Sequence, residues 1–256
     1  MTVFTTQFNQ ANMISFFKPK PTLSALIPEG FVDIHSHILP GLDDGAKTMA
    51  QSKELIQGMQ SIGFSEFIAT PHTMTSVWDN TTEGIQAVKH SLDQEYGTEA
   101  YLRCASEYLL DTSFLDRLQK DDLLCLKDKM VLVELSYLQP PMNLFEILFE
   151  LQLKGYVPVL AHPERYKYYF SDIKNFERLK KAGCMFQLNL LSAVGHYGPE
   201  SLKITDDLLN AGLIDFVGSD IHHKGHLELF EKKVRIKKVK ALEKVMAANV
   251  LFSQRT

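Results

Sequence analysis

The chain has 256 residues, 45% of them hydrophobic and 23% charged, the balance of a globular protein with a sizeable core. A formal net charge of -4 argues against nucleic acid as a partner, because phosphate backbones select basic surfaces. Cys104, Cys125 and Cys184 are odd in number and lack Cys-x-x-Cys spacing, which excludes a disulfide framework and fits a reducing cytoplasm.

The opening "MTVFTTQFNQANMISFF" has no lysine or arginine and no continuous apolar core, so it does not read as a signal peptide. The proline-rich "KPKPTLSALIPEG" follows, and residues 1–30 are expected to form a loosely held extension, with Met13 as a second candidate start. No apolar run reaches the length of a membrane span, and a cytoplasmic, non-spanning protein is expected.

From residue 31 onward, short apolar runs alternate with helical spacing. The predicted strands are "FVDI" (31–34), "EFIAT" (66–70), "AYLRCA" (100–105), "MVLVEL" (130–135), "YVPVLA" (156–161), "CMFQLN" (184–189) and "DFVGS" (215–219). Leu55, Met59 and Ile62 mark one intervening helix, stopped by Gly63; Leu144, Leu148 and Leu151 mark another, stopped by Gly155. Gly183 and Gly212 end two more. The near-terminal run "EKKVRIKKVKALEKV" reads as a basic helix whose Val239, Leu242 and Met246 form a buried stripe. Strand, helix, glycine, strand is the pattern of parallel βαβ units. No linker interrupts it, so residues 31–256 are expected to be one domain. Nothing resembles a glycine-rich phosphate loop after the first strand, so a closed barrel, of seven or eight strands, is preferred to a doubly wound sheet.

Parallel α/β folds gather their sites at the carboxyl ends of the strands. Here those ends carry an unusual load. The first is followed by His35, His37 and the pair Asp43–Asp44, between which spacing does not choose. Next come His72, Glu107, Glu134 and His162, and the last strand ends in Asp220 and His222. Any one of these alone reads as a polar loop residue. Glu134 is different, because "MVLVEL" is otherwise apolar and a buried carboxylate needs a partner or a metal. Together they repel unless cations neutralise them. Imidazole and carboxylate without thiolate suit manganese, iron or zinc, and so many donors exceed what one ion needs. Residues i and i+2 of a strand point the same way, ~7 Å apart, so both rings of His-x-His can reach one cluster. Clustered divalent ions serve hydrolysis, and Arg165 is the nearby cation for phosphate oxygens, its plainer reading being a surface pair with Glu164.

Taken in order, "DIHSHILPGLDDG", "ATPH", "SEYLL", "VELS", "AHPERY" and "GSDIH" resemble the polymerase-and-histidinol-phosphatase (PHP) superfamily. More narrowly, they are similar to the bacterial manganese-dependent tyrosine phosphatases of capsule and exopolysaccharide loci. The resemblance implies a distorted (β/α)7 barrel with three divalent metal ions, manganese first and iron or zinc as substitutes, at the strand carboxyl ends. It assigns as ligands His35, His37, Asp44, His72, Glu107, Glu134, His162, Asp220 and His222, choosing Asp44 over Asp43. Arg165 becomes the residue that holds phosphate. The activity implied is hydrolysis of phosphotyrosine, on a tyrosine kinase regulating polysaccharide export, by a hydroxide bridging two metals. Two departures stand out: some thirty residues precede the His-x-His strand, and "SDIHHKGHLELF" lacks a further arginine, leaving Lys224 as a weaker substrate contact.

Alternatives are a PHP phosphatase for small phosphomonoesters such as histidinol phosphate, a metal amidohydrolase, and a non-catalytic module docking through its basic helix. A cysteine phosphatase is excluded, since the positions that Cys-x5-Arg would fill with arginine hold Leu110, Val131 and Leu190.

Overall fold

The computed structural model describes residues 19–254 except 99, 100, 112 and 121. Nine strands and eight helices alternate along them: β1 (Phe31–Asp33), α1 (Met49–Ile62), β2 (Phe64–Ala69), β3 (His72–Thr73), α2 (Thr82–Tyr96), β4 (Leu102–Cys104), β5 (Glu107–Leu109), α3 (Phe114–Gln119), β6 (Met130–Glu134), α4 (Leu144–Leu153), β7 (Val157–Ala161), α5 (Lys174–Lys181), β8 (Met185–Asn189), α6 (Pro199–Ala211), β9 (Phe216–Gly218), α7 (Lys224–Glu228) and α8 (Val239–Ala248). Every strand pairing is parallel, in two sheets ordered β1-β2-β4 and β3-β5-β6-β7-β8-β9.

All seven predicted strands are present, and β3 and β5 are additions. Each continues an earlier strand after a two-residue interruption, at Thr70–Pro71 and Ala105–Ser106. Backbone bonds bridge these interruptions: Ala105 N–H donates to Ala69 O at 2.8 Å and Glu107 N–H to Pro71 O at 3.1 Å. At the far edges, Ser36 pairs in parallel with Ile221. There Asp220 N–H donates to His35 O at 2.7 Å and His37 N–H to Ile221 O at 2.9 Å.

The strands are apolar on both faces because both are covered. Phe67, Val131, Val133 and Leu188 pack with helix residues such as Leu55, Met59, Ile147 and Leu208 in the main cluster. Their sequence neighbours Ile68 and Leu132 turn the other way and, with Val159, join a smaller cluster around Val32, Ile34 and Phe252. Helix ends follow local chemistry. Thr48 and Thr81 accept from the N–H groups of Gln51 and Gly84, and Gly63, Gly97 and Gly212 close their helices in the left-handed conformation.

Two expectations change. Of the extension predicted over residues 1–30, residues 1–18 lie outside the described residues, and the later part is anchored. Lys20 Nζ donates to the carbonyls of Arg235 and Ile236, both at 2.7 Å, Leu23 N–H donates to Lys232 O at 3.0 Å, and Leu23 is fully buried. The basic helix predicted over residues 231–245 begins only at Val239. Before it, Val234 and Ile236 are buried while Lys233, Arg235 and Lys237 are exposed, a period of two that marks extended chain. That segment pairs with Thr22 through Lys233, so tertiary pairing overrides the helical propensity of its lysines. Among the described residues no helix is long and apolar enough to cross a membrane.

Candidate metal centre

The carboxyl ends of the strands bring the predicted donors to one place. Donor atoms within 4.8 Å of one another form four groups: His37 with Asp44, His72 and His222; His35 with His37 and Glu107; His35 with His162 and Asp220; His72 with Glu107 and Glu134. All nine sequence candidates are included. Asp44 reaches the centre beside His72 (3.7 Å) and His222 (3.4 Å).

The rings are held by groups behind them. Gln187 Oε1 accepts from His35 Nδ1 at 2.7 Å, and the other end of that amide donates to Leu188 O at 2.8 Å, which fixes its orientation. Asp43 Oδ2 accepts from His37 Nδ1 at 2.6 Å. Nδ1 of each ring is thereby engaged as a donor, which leaves Nε2 as the atom that faces inward and would bind a cation. Asp43 also accepts from the backbone N–H groups of Gly45 (2.8 Å) and His72 (3.0 Å), tying two strand ends to one turn. It is thus a buried organiser behind the donors.

Two glycines make room for this geometry. A Cβ at Gly45 would lie 2.1 Å from the carbonyl oxygen of His37, and one at Gly218 would lie 2.5 Å from the Cβ of His35. His162 (φ 34°) and Asp220 (φ 51°) adopt left-handed backbone, unusual without glycine and characteristic of functional sites.

The electrostatics are unbalanced without a cation. Burial would raise Glu107, but His35 and His72 beside it and a hydrogen bond from His162 hold it well below the usual carboxylate range. Burial likewise opposes ionisation of Asp220, and His35, His222 and Arg165 overcome it. Glu134 is pushed up by burial and by the Glu107 charge. Burial pulls His72 down, yet Glu107 lifts it to about 10. His72 Nδ1 and Glu134 Oε1 approach to 3.0 Å without a hydrogen bond, and both are buried without any hydrogen-bond partner. His162 Nδ1 is orphaned in the same way. Such atoms cost free energy unless something binds them. Oxygen and imidazole donors at this spacing fit divalent ions.

A cavity of about 500 Å³ opens over the centre. Arg165 is set in its wall with the guanidinium between Tyr137 and Tyr197, 4.7 and 4.4 Å from the ring centres. Its Nη1 donates to Asp220 Oδ2 at 2.8 Å, and Asn189 donates to the same oxygen at 2.7 Å. The alternative pairing with Glu164 is not formed: that carboxylate is buried and accepts from Ser192 and from the backbone of Asn189. Trp78 stacks on His72 at 4.9 Å, completing an aromatic wall. Lys224 does not face the cavity; 67% exposed, it pairs with Glu54 at 2.7 Å. His223 and His226 line the cavity instead.

Comparison with known proteins places this arrangement. Residues 31–250 match the family model for capsular polysaccharide synthesis, CpsB/CapC. The chain belongs to that family. It is 32% identical over 196 residues to the tyrosine-protein phosphatase YwqE of Bacillus subtilis, covering 75% of this chain and 77% of YwqE. It is 28% identical over 236 residues to the tyrosine-protein phosphatase CpsB of Streptococcus pneumoniae, covering 82% and 94%. A chain from the crystal structures of YwqE and CpsB, unique metal-dependent tyrosine phosphatases, superposes with a TM-score of 0.74 at 29% identity, covering 88% of this chain and 95% of that one.

The matched residues 31–250 span all six motifs. Asp43 was named from the sequence, as the carboxylate passed over in favour of Asp44; the supporting residues Gln187, Tyr137, Tyr197 and Trp78 escaped the sequence reading. Gln187 had a legible signal, a polar side chain in an apolar strand, the same argument that singled out Glu134. The aromatic residues stand in loops, where no periodicity marks them.

Proposed function

We propose that this protein is a metal-dependent protein-tyrosine phosphatase. The observation that carries the reading is the convergence of nine imidazole and carboxylate donors, all but Asp44 buried or half-buried, beneath a cavity walled by an oriented arginine. The relatives YwqE and CpsB, named tyrosine-protein phosphatases, support it.

The nine ligands assigned are His35, His37, Asp44, His72, Glu107, Glu134, His162, Asp220 and His222, holding three divalent ions, manganese first. When bound, such ions supply Lewis acidity toward a phosphoryl group and lower the pKa of water toward neutrality. The chain's own part is positional. Asp220 occupies one N–H of Arg165 and the two tyrosines hold the guanidinium plane, leaving further donors for the non-bridging oxygens of phosphate. Asp43 and Gln187 keep His35 and His37 in the tautomer that can bind a cation. Trp78 and Tyr137 offer faces against which a tyrosyl ring can stack. Cysteine chemistry is not available by the usual route: burial pushes the thiols of Cys104 and Cys184 up to about 11 and about 12, so neither forms a ready thiolate.

The seven strand positions, with the Ser36–Ile221 bridge joining the outer edges, support closure as a distorted (β/α)7 barrel in a single domain from residue 31. We assign as substrate a phosphotyrosine protein, a bacterial tyrosine kinase governing capsule or exopolysaccharide synthesis in the cytoplasm, on the strength of the family's link to that synthesis. Rates on phosphotyrosine peptides, phosphoserine peptides and histidinol phosphate test it. Phosphotyrosine should be preferred by an order of magnitude or more, and a preference for histidinol phosphate would replace this reading with the small-phosphomonoester one.

A further inference from the structure

A second groove, of about 790 Å³, lies beside the site. Its walls are the runs Leu109–Asp111 and Ser136–Asn143. These directly continue β5 and β6, the strands that carry Glu107 and Glu134 into the metal centre. Tyr137, between Ser136 and Leu138 of the groove, lines the site cavity itself. Groove and site therefore share a rim.

The groove is apolar. Leu138 is 89% exposed and Met142 103%, with Pro140 and Pro141 between them. Asp111, the one charged lining residue among those described, is already engaged, accepting from Ser113 and from the N–H of Phe114. Contiguous apolar surface of this kind is retained where something covers it. Elsewhere the site cavity is lined by Asp44, His223 and His226.

We propose that the groove holds apolar side chains of the substrate polypeptide that flank its phosphotyrosine. This rests on the tyrosine-phosphatase reading above and adds a sequence preference to it. A chain whose phosphotyrosine enters the cavity must leave across a rim. Over the Tyr137 rim its neighbours meet Leu138 and Met142, where burial of apolar surface favours binding. A second copy seated there would instead stand at the mouth of the cavity, while a substrate chain fills groove and cavity together.

The test is the double substitution Leu138→Ser and Met142→Ser, both at positions that bear no core packing. Three substrates are compared: p-nitrophenyl phosphate, a phosphotyrosine peptide with leucine and phenylalanine flanks, and one with glycine and serine flanks. The expected result is a roughly tenfold fall in kcat/KM for the apolar-flanked peptide, carried by KM, with the other two substrates unchanged. Equal rates of parent and variant on the apolar-flanked peptide would overturn the proposal. So would sedimentation showing a parent dimer that the substitutions dissociate, or a groove opened only by deleting residues 1–18, seen as a deletion-dependent gain on that peptide. Absence of phosphotyrosine hydrolysis by the parent protein would sink the underlying activity instead, so the two failures are distinct.

Discussion

At the scale of single residues, the account turns on side chains that aim other side chains. Asp43→Asn turns one of the two oxygens that accept from Gly45, His37 and His72 into a donor, so the three can no longer all be satisfied and His37 loses its fixed partner; metal affinity should fall about 10–100-fold while the fold persists, read by calorimetric titration with manganese. Wild-type affinity would show that His37 needs no such partner. Arg165→Ala should lower kcat about 10²–10³-fold with metal content intact, because the guanidinium serves the phosphate. A lysine there should not restore the rate, since it lacks the planar fork held between Tyr137 and Tyr197. The candidate donors themselves were legible: each stands near the carboxyl end of a strand that hydrophobic patterning locates. The choice of Asp44 over Asp43 was not, because adjacent carboxylates in a turn differ only in which way the backbone aims them. Lys224 misled for the same reason; Glu54, 170 positions away in sequence, takes its charge.

At the scale of elements, the seven strands and the glycine-stopped helices were readable because period and punctuation are local. What was not readable depends on partners distant in the chain. β3 and β5 have two and three residues, too few for a pattern, and exist because β2 and β4 resume pairing past an interruption. Residues 232–234, part of the run that reads as helix from its lysines, pair instead with residues 21–23. This pairing makes the segment before β1 part of the fold, and Leu23→Ala should cost about 2–5 kcal/mol in denaturant unfolding. A cost below 0.5 kcal/mol would mean that the contact is dispensable. Gly218→Ala tests the floor beneath His35: its added methyl must displace either the ring or Gln187, so stability and metal content should fall together.

At the scale of the whole molecule, the site stores charge that cations would discharge, and pH reports it. In the metal-free protein His72 holds its proton up to about 10, so its contribution to stability is complete below the unfolded value near 6.5 and is lost as pH rises toward 10. Asp33 and Glu164, raised to about 7 by burial, add losses as pH rises from about 4 toward 7. The melting temperature of metal-free protein should therefore decline from pH 7 to 9.5, while manganese-loaded protein, whose ligands bind unprotonated, should hold its own across that window. Parallel curves would mean that the histidines are not ligands. The most direct test of the central claim is phosphotyrosine hydrolysis before chelation, after exhaustive chelation, and after manganese is restored, each with and without thiol alkylation. Activity should vanish on chelation, return with manganese and ignore alkylation; full activity in the chelated protein, or its loss on alkylation, would contradict a metal-centred phosphatase.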